Sequence, residues 1–222
     1  MSSSKLFKKQ GYVTVRRALN SDLRDLLTQY ALFDEMQNFT PERVLYPDTA
    51  QVRDAHSKYA DPAMEALLLH MQPTIERVTG LRLHPTYSFF RVYRNGDELL
   101  PHIDRPSCEI SATVCLNHSY VSANLFSEID LVDALIETGY SWPIIIQGTK
   151  VHMNPGDLVV YKGMELTHWR DAFLPPEDSW HVQAFLHYVD QDGPFFEWKY
   201  DKRQSLGVVE SFKSSKNYIQ YL

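Results

Sequence analysis

Between residues 20 and 80 the apolar side chains recur at helical spacing. Leu23, Leu26, Leu27 and Tyr30 fall at i, i+3, i+4 and i+7, one stripe of a helix for which Asn20-Ser21 offers an N-cap. A second stripe, Met64, Leu67, Leu68, Met71, Ile75 and Val78, begins behind Asp61-Pro62 and stops at Gly80. Residues 36–60 between them are polar and contain proline, which predicts a long loop able to lie over a site. From residue 85 the period changes to strands and turns: Tyr87–Tyr93, Glu109–Leu116, Pro143–Gln147, Val151–Met153, Leu158–Lys162 and His181–Val189. Asn95-Gly96 and Asn154-Pro155-Gly156-Asp157 supply turn chemistry. Residues 118–141 interrupt the series, with Leu131, Val132, Leu135 and Ile136 at the spacing of a short helix on a long loop. Strands without helical periods between them favour antiparallel pairing. The expected fold is mainly β with α: a double-stranded β-helix, or jelly roll, over 85–190, a helical N-terminal support over 1–84 in the same domain, and a C-terminal extension over 191–222.

Composition narrows the partners. The chain has 222 residues, room for one sizeable core, and 22 Lys+Arg against 28 Asp+Glu give a net charge of −6. With no basic block longer than Lys8-Lys9 or Arg16-Arg17, it lacks the electrostatic footprint of a duplex nucleic-acid binder. Apolar runs such as Ile144-Ile145-Ile146 are far below the roughly 18 residues of a membrane span, and Met1–Lys5 shows no signal-peptide pattern. A cytoplasmic protein with a small-molecule or peptide substrate is the expectation. Cys108 and Cys115, seven apart in one apolar segment, would point to opposite strand faces and stay reduced.

The chemistry begins at Leu100-Pro101-His102-Ile103-Asp104. In extended backbone, residues i and i+2 share a face, so His102 and Asp104 can present an imidazole and a carboxylate to one point. His168, 66 residues further on and just after a strand, is the candidate third ligand. Two His and one carboxylate on one face of an octahedral ion leave three positions open, the arrangement of non-haem Fe(II) oxygenases. His152 and Asp157 read as structural, Trp142, Trp169 and Trp180 as packing or as the lining of a substrate cleft, and Arg105 as a residue pointing away from the metal, either solvated or binding an acidic substrate group at the mouth.

The ordered set of a strand ending in Tyr93, a Gly-containing turn, His102-x-Asp104, Thr113–Asn117, the Asn154–Asp157 turn, His168 and the strand Phe185–Asp190 resembles the prolyl-4-hydroxylase-like branch of the Fe(II)/2-oxoglutarate-dependent dioxygenases. The likeness spans residues 87–190. It implies that His102, Asp104 and His168 hold Fe(II), and that 2-oxoglutarate and O2 are cosubstrates in a C–H hydroxylation releasing succinate. It also implies that Tyr93 bonds the distal carboxylate of 2-oxoglutarate. Where the family usually carries Arg or Lys to pair with that carboxylate, this chain has His181. Gln183 on the same strand face adds a donor, and Arg170 is the alternative cation. Two other readings are a cupin-type metal enzyme without 2-oxoglutarate and a non-catalytic jelly-roll binding module. The cupin lacks support in the absence of a His-x-His start.

Overall fold

A computed structural model of the chain describes residues 2–38, 55–120, 140–175 and 178–208. Three helices, α1 (Ser3–Gln10), α2 (Ser21–Asn38) and α3 (Pro62–Thr79), support ten strands in two antiparallel sheets. The strands are β1 (Tyr12–Val15), β2 (His56–Tyr59), β3 (Leu83–Tyr93), β4 (Leu99–His102), β5 (Ile110–His118), β6 (Ile144–Ile146), β7 (Thr149–Val151), β8 (Leu158–Lys162), β9 (His168–Arg170) and β10 (His181–Asp190). The large sheet runs β1-β8-β5-β10-β3-β2 and the small one β4-β9-β6-β7. This is the jelly-roll core the strand pattern predicts.

The two faces of the large sheet differ because strand side chains alternate. Phe90 and Val92 of β3, Ala184 and Leu186 of β10, Ala112 and Val114 of β5 and Val160 of β8 all join one apolar core with Met64, Leu67, Leu68, Met71, Ile75 and Val78 of α3. Burying a side chain of this size contributes about 1.5–3 kcal/mol, so this face fixes the register of the whole sheet. The alternate positions face the small sheet. There β3 places Tyr87, Phe89, Arg91 and Tyr93 directly opposite His187, Phe185, Gln183 and His181 of β10. The candidate residues Tyr93, His181 and Gln183 sit on this inner face.

The structure adds four short strands to the expectation. β1 and β2 lie in the N-terminal region and edge the large sheet, so residues 1–84 are not helical throughout. β4 and β9 carry the candidate ligands; at four and three residues they are too short to show alternation. The strand expected at Val151–Met153 is instead Thr149–Val151, because the positive-φ pair Gln147-Gly148 turns the chain one step earlier. α2 extends to Asn38 and β2 takes up His56–Tyr59, which leaves less loop than 36–60. Leu26 is exposed, and α2 buries Leu27 and Ala31. The helix expected within 118–141, most of the 36–60 loop and the tail after residue 208 lie outside the described residues. Among the described residues no helix is long and apolar enough to cross a membrane.

Candidate active site

His102 ends β4 and His168 opens β9, and the two are direct partners across the small sheet. Their rings approach to 4.3 Å between centroids. The same local device orients both. Nδ1 of His102 bonds the Leu100 carbonyl at 2.7 Å, and Nδ1 of His168 bonds the Leu166 carbonyl at 2.9 Å, two residues back in each case. With the proton held on Nδ1, each Nε2 lone pair is free to face a common point.

Asp104 completes that point. Its Oδ1 lies 3.6 Å from Nε2 of His102 and 3.7 Å from Nε2 of His168. Its other oxygen, Oδ2, accepts a 2.6 Å bond from the Ser111 hydroxyl of β5. The Asp104 N–H donates to the Gly163 carbonyl at 2.9 Å, anchoring the loop to the end of β8. Gly163 must lack a side chain, because a Cβ there would stand 2.3 Å from Asp104 Oδ2 and 2.6 Å from Ser111 Oγ. Burial acts to raise the Asp104 carboxyl, but the facing rings of His102, His168 and His187 and the Ser111 hydroxyl outweigh it and hold the group at about 2. Burial pushes His168 down, towards the neutral form a metal requires. All ligand atoms of the three residues lie within 4.8 Å of one another.

A second set, Asp104, Cys108 and His187, is equally close. Its donors are already engaged. The Cys108 sulfur contacts the Tyr87 hydroxyl at 3.1 Å and burial lifts its thiol to about 12, while Nδ1 of His187 is 3.0 Å from the Ser111 hydroxyl. We read these groups as the support that aims Asp104.

A cavity of about 480 Å3 opens beside the triad, walled by Tyr59, Tyr87, Phe89, Arg91, Phe185 and His187 among others. Arg105 also lines it but is committed to Asp201 by two bonds of 2.7 and 2.8 Å. Its guanidinium lies 4.6 Å over the Tyr87 ring.

No protein-family model and no curated protein sequence matches the chain. Solved structures do. A prolyl-4-hydroxylase from Pseudomonas putida superposes with a TM-score of 0.55 over 83% of this chain and 96% of its own, at 17% identity. The non-heme alpha ketoglutarate dependent epimerase SnoN from nogalamycin biosynthesis gives 0.61 over 84% and 80%, at 13% identity. EctD from S. alaskensis with bound Fe gives 0.60 over 91% and 84%, also at 13%. The chain has the fold of the Fe/2-oxoglutarate oxygenases.

Within that fold the remaining sequence candidates come together in one place. Tyr93, Arg170, His181 and Gln183 are all essentially buried. Arg170 donates to the Trp142 carbonyl at 2.6 Å and the Gln183 Oε1 at 3.3 Å, and its guanidinium lies 4.6 Å over the Trp142 ring. His181 bonds Gln183 Oε1 at 2.8 Å and the Tyr120 hydroxyl at 2.9 Å, and Gln183 donates to Thr113. Arg170 has no acidic partner among the described residues, and its Nε and the Tyr93 hydroxyl are buried without any hydrogen bond. These four residues do not line the cavity; Phe185 and Leu99 belong both to the cavity wall and to the cluster around Tyr93 and Trp142, and form the partition.

His152 and Asp157 are structural, as expected: the first bonds Ser141 at 2.6 Å, and the second takes the Asn154 N–H at 2.8 Å and the Arg17 N–H at 2.9 Å. Trp142 packs. Both cysteines are buried and free. Sequence reasoning missed Ser111 and Gly163. Alternation would have found Ser111, which shares a strand face with Thr113. Gly163 had no signal beyond closing a strand.

Proposed function

We propose that the protein is an Fe(II)/2-oxoglutarate-dependent dioxygenase that hydroxylates a small molecule or peptide. The observation that carries the reading is the convergence of His102 Nε2, Asp104 Oδ1 and His168 Nε2 on one point at the edge of a cavity, inside this fold. Two imidazoles and one carboxylate are the donor set suited to non-haem iron with open positions. Bound iron and 2-oxoglutarate would supply oxidising power towards a C–H bond, with decarboxylation to succinate. The chain's own part is to hold the donors in place, to keep Asp104 ionised through Ser111, and to line the approach with aromatic rings that exclude water.

The buried cluster fits the cosubstrate. A fully buried guanidinium without a counter-ion is costly, and an unbonded phenol beside it adds to the cost. A carboxylate would offset both, so Arg170 and Tyr93 are the proposed partners of the distal carboxylate, with Gln183 and His181 orienting Arg170. A binding module without catalysis would leave these features without a purpose. A carboxylate ligand at Asp104, rather than a small residue, favours transfer of oxygen over halide.

The reading is tested by adding Fe(II) and 2-oxoglutarate without oxygen. A weak visible charge-transfer band should appear in the parent and vanish in His102→Ala, Asp104→Ala and His168→Ala, with far-ultraviolet circular dichroism unchanged in all three. Turnover of 2-oxoglutarate should fall at least about a hundredfold in each variant. Near-full activity in any of them removes that ligand from the assignment. Product mass separates hydroxylation, which adds one oxygen atom, from epimerisation, which leaves the mass unchanged, and from ring closure, which removes two hydrogens.

A further inference from the structure

Two cations project into the barrel interior without an acidic partner among the described residues, and the dioxygenase reading, on which this inference rests, uses only one. The second is Arg91 on β3, opposite Gln183 in the register. Its side chain makes no hydrogen bond or ion pair among the described residues, while the residue is 7% exposed. The guanidinium lies 4.9 Å from the Phe89 ring and 5.6 Å from the Phe185 ring, a clamp that fixes its position on the cavity wall. Its nitrogens are not among the buried unbonded atoms, so solvent in the cavity reaches them.

Charge accounting separates the roles of the two arginines. A divalent ion, the Asp104 carboxylate, dianionic 2-oxoglutarate and the Arg170 guanidinium together are neutral. Arg105 is cancelled by Asp201. Arg91 is the surplus positive charge. Arg170, sealed from water, needs the anion that every turnover brings. Arg91, wetted through the cavity, is stable alone and can await an anion that comes and goes. We propose that Arg91 receives a carboxylate of the prime substrate, so that the enzyme acts on a small molecule or peptide bearing an acidic group. Tyr87, Phe89 and Phe185 would pack against the substrate's carbon skeleton, and Arg91's planar fork would fix which carbon faces the triad.

The test uses full-length protein loaded with Mn(II), which does not turn over, and saturated with 2-oxoglutarate. Two acid–amide pairs serve as probes, phenylacetate with phenylacetamide and pentanoate with pentanamide, read by paramagnetic broadening of their proton resonances. At least one acid should bind about tenfold more tightly than its amide. Arg91→Gln should erase that preference and Arg91→Lys should keep part of it, while 2-oxoglutarate affinity stays within about twofold of the parent in both. Equal broadening of acid and amide, none from either pair, or an acid preference that survives Arg91→Gln overturns the proposal. So does a tenfold loss of 2-oxoglutarate affinity in Arg91→Gln, which would make Arg91 the cosubstrate's cation. Failure of the parent itself to bind 2-oxoglutarate sinks the dioxygenase reading instead, and this inference with it.

Discussion

Arg170 and His181 offer opposite chemistries for the same carboxylate. Burial and the adjacent Arg170 charge push His181 far below the ordinary imidazole range, so it is neutral in the folded protein. Burial also lowers Arg170, but a guanidinium starts from far above neutrality and keeps its proton. A charge carried by His181 would make 2-oxoglutarate affinity fall as pH rises through the imidazole pKa; a charge carried by Arg170 would not. With metal saturating, the affinity should therefore be flat from about pH 7 to 9, and Arg170→Lys should weaken it about tenfold because the two-pronged contact is lost. Isothermal titration over that range checks both statements. Declining affinity in the parent with little effect of Arg170→Lys would return the charge to His181. At this scale the sequence named residues that the structure brings together, but not their state. The two-residue spacing of His102 and Asp104 is visible in one line of text, whereas the neutrality of His181 depends on burial, which no local pattern encodes.

Asp61 shows how one residue joins several elements. It caps α3 by accepting from Ala63 N at 3.0 Å and Met64 N at 3.2 Å, bonds the Tyr30 hydroxyl of α2 at 2.6 Å, and pairs with Lys58 of β2 at 3.0 Å while wholly buried. Removing it leaves two helix N–H groups and a phenol without their acceptor and takes away one of the two carboxylates that face the Lys58 ammonium, the other being Asp34 at 2.7 Å. Asp61→Ala should cost about 2–4 kcal/mol, and Asp61→Asn less because the cap survives, as read from denaturant midpoints. A change below about 0.5 kcal/mol in the alanine variant would show the cap to be idle. The capping role was legible, since Asp-Pro before an apolar stripe is a local signal. Its partners were not: Tyr30 is 31 positions away, and β2 is four residues of mixed polarity paired to an inner strand. The same holds for β4 and β9. Strands β5, β8 and β10 could be seen because they are almost continuously buried and rich in β-branched and aromatic residues, while the strands that carry the candidate metal ligands are short.

Over the whole molecule the barrel interior is a store of neutral imidazoles. His187 and His118 are held at about 4, chiefly by burial, and His181 and His168 are lowered for the same first reason. In the unfolded chain these rings titrate near 6.5, so between that pH and about 4 the unfolded state binds more protons than the folded one. Stability must then rise with pH through this window: it is fully present above about 6.5 and is lost progressively on acidification. His187 alone, completely enclosed, contributes on the order of 3 kcal/mol to the total change across the window. Asp104, already depressed to about 2, gives up its contribution only below the unfolded carboxylate value of 3.8, outside the window. Metal at the triad would steepen the same dependence, because it needs His102 and His168 unprotonated. Thermal unfolding of chelator-treated protein should therefore show a midpoint that falls steadily from about pH 6.5 to 4.5, more steeply with Mn(II) added, and less steeply in His187→Gln. A midpoint that is flat over that range in the metal-free protein would mean that the enclosed imidazoles carry charge in the fold, and the neutral ligand set on which the metal site depends would have to be abandoned.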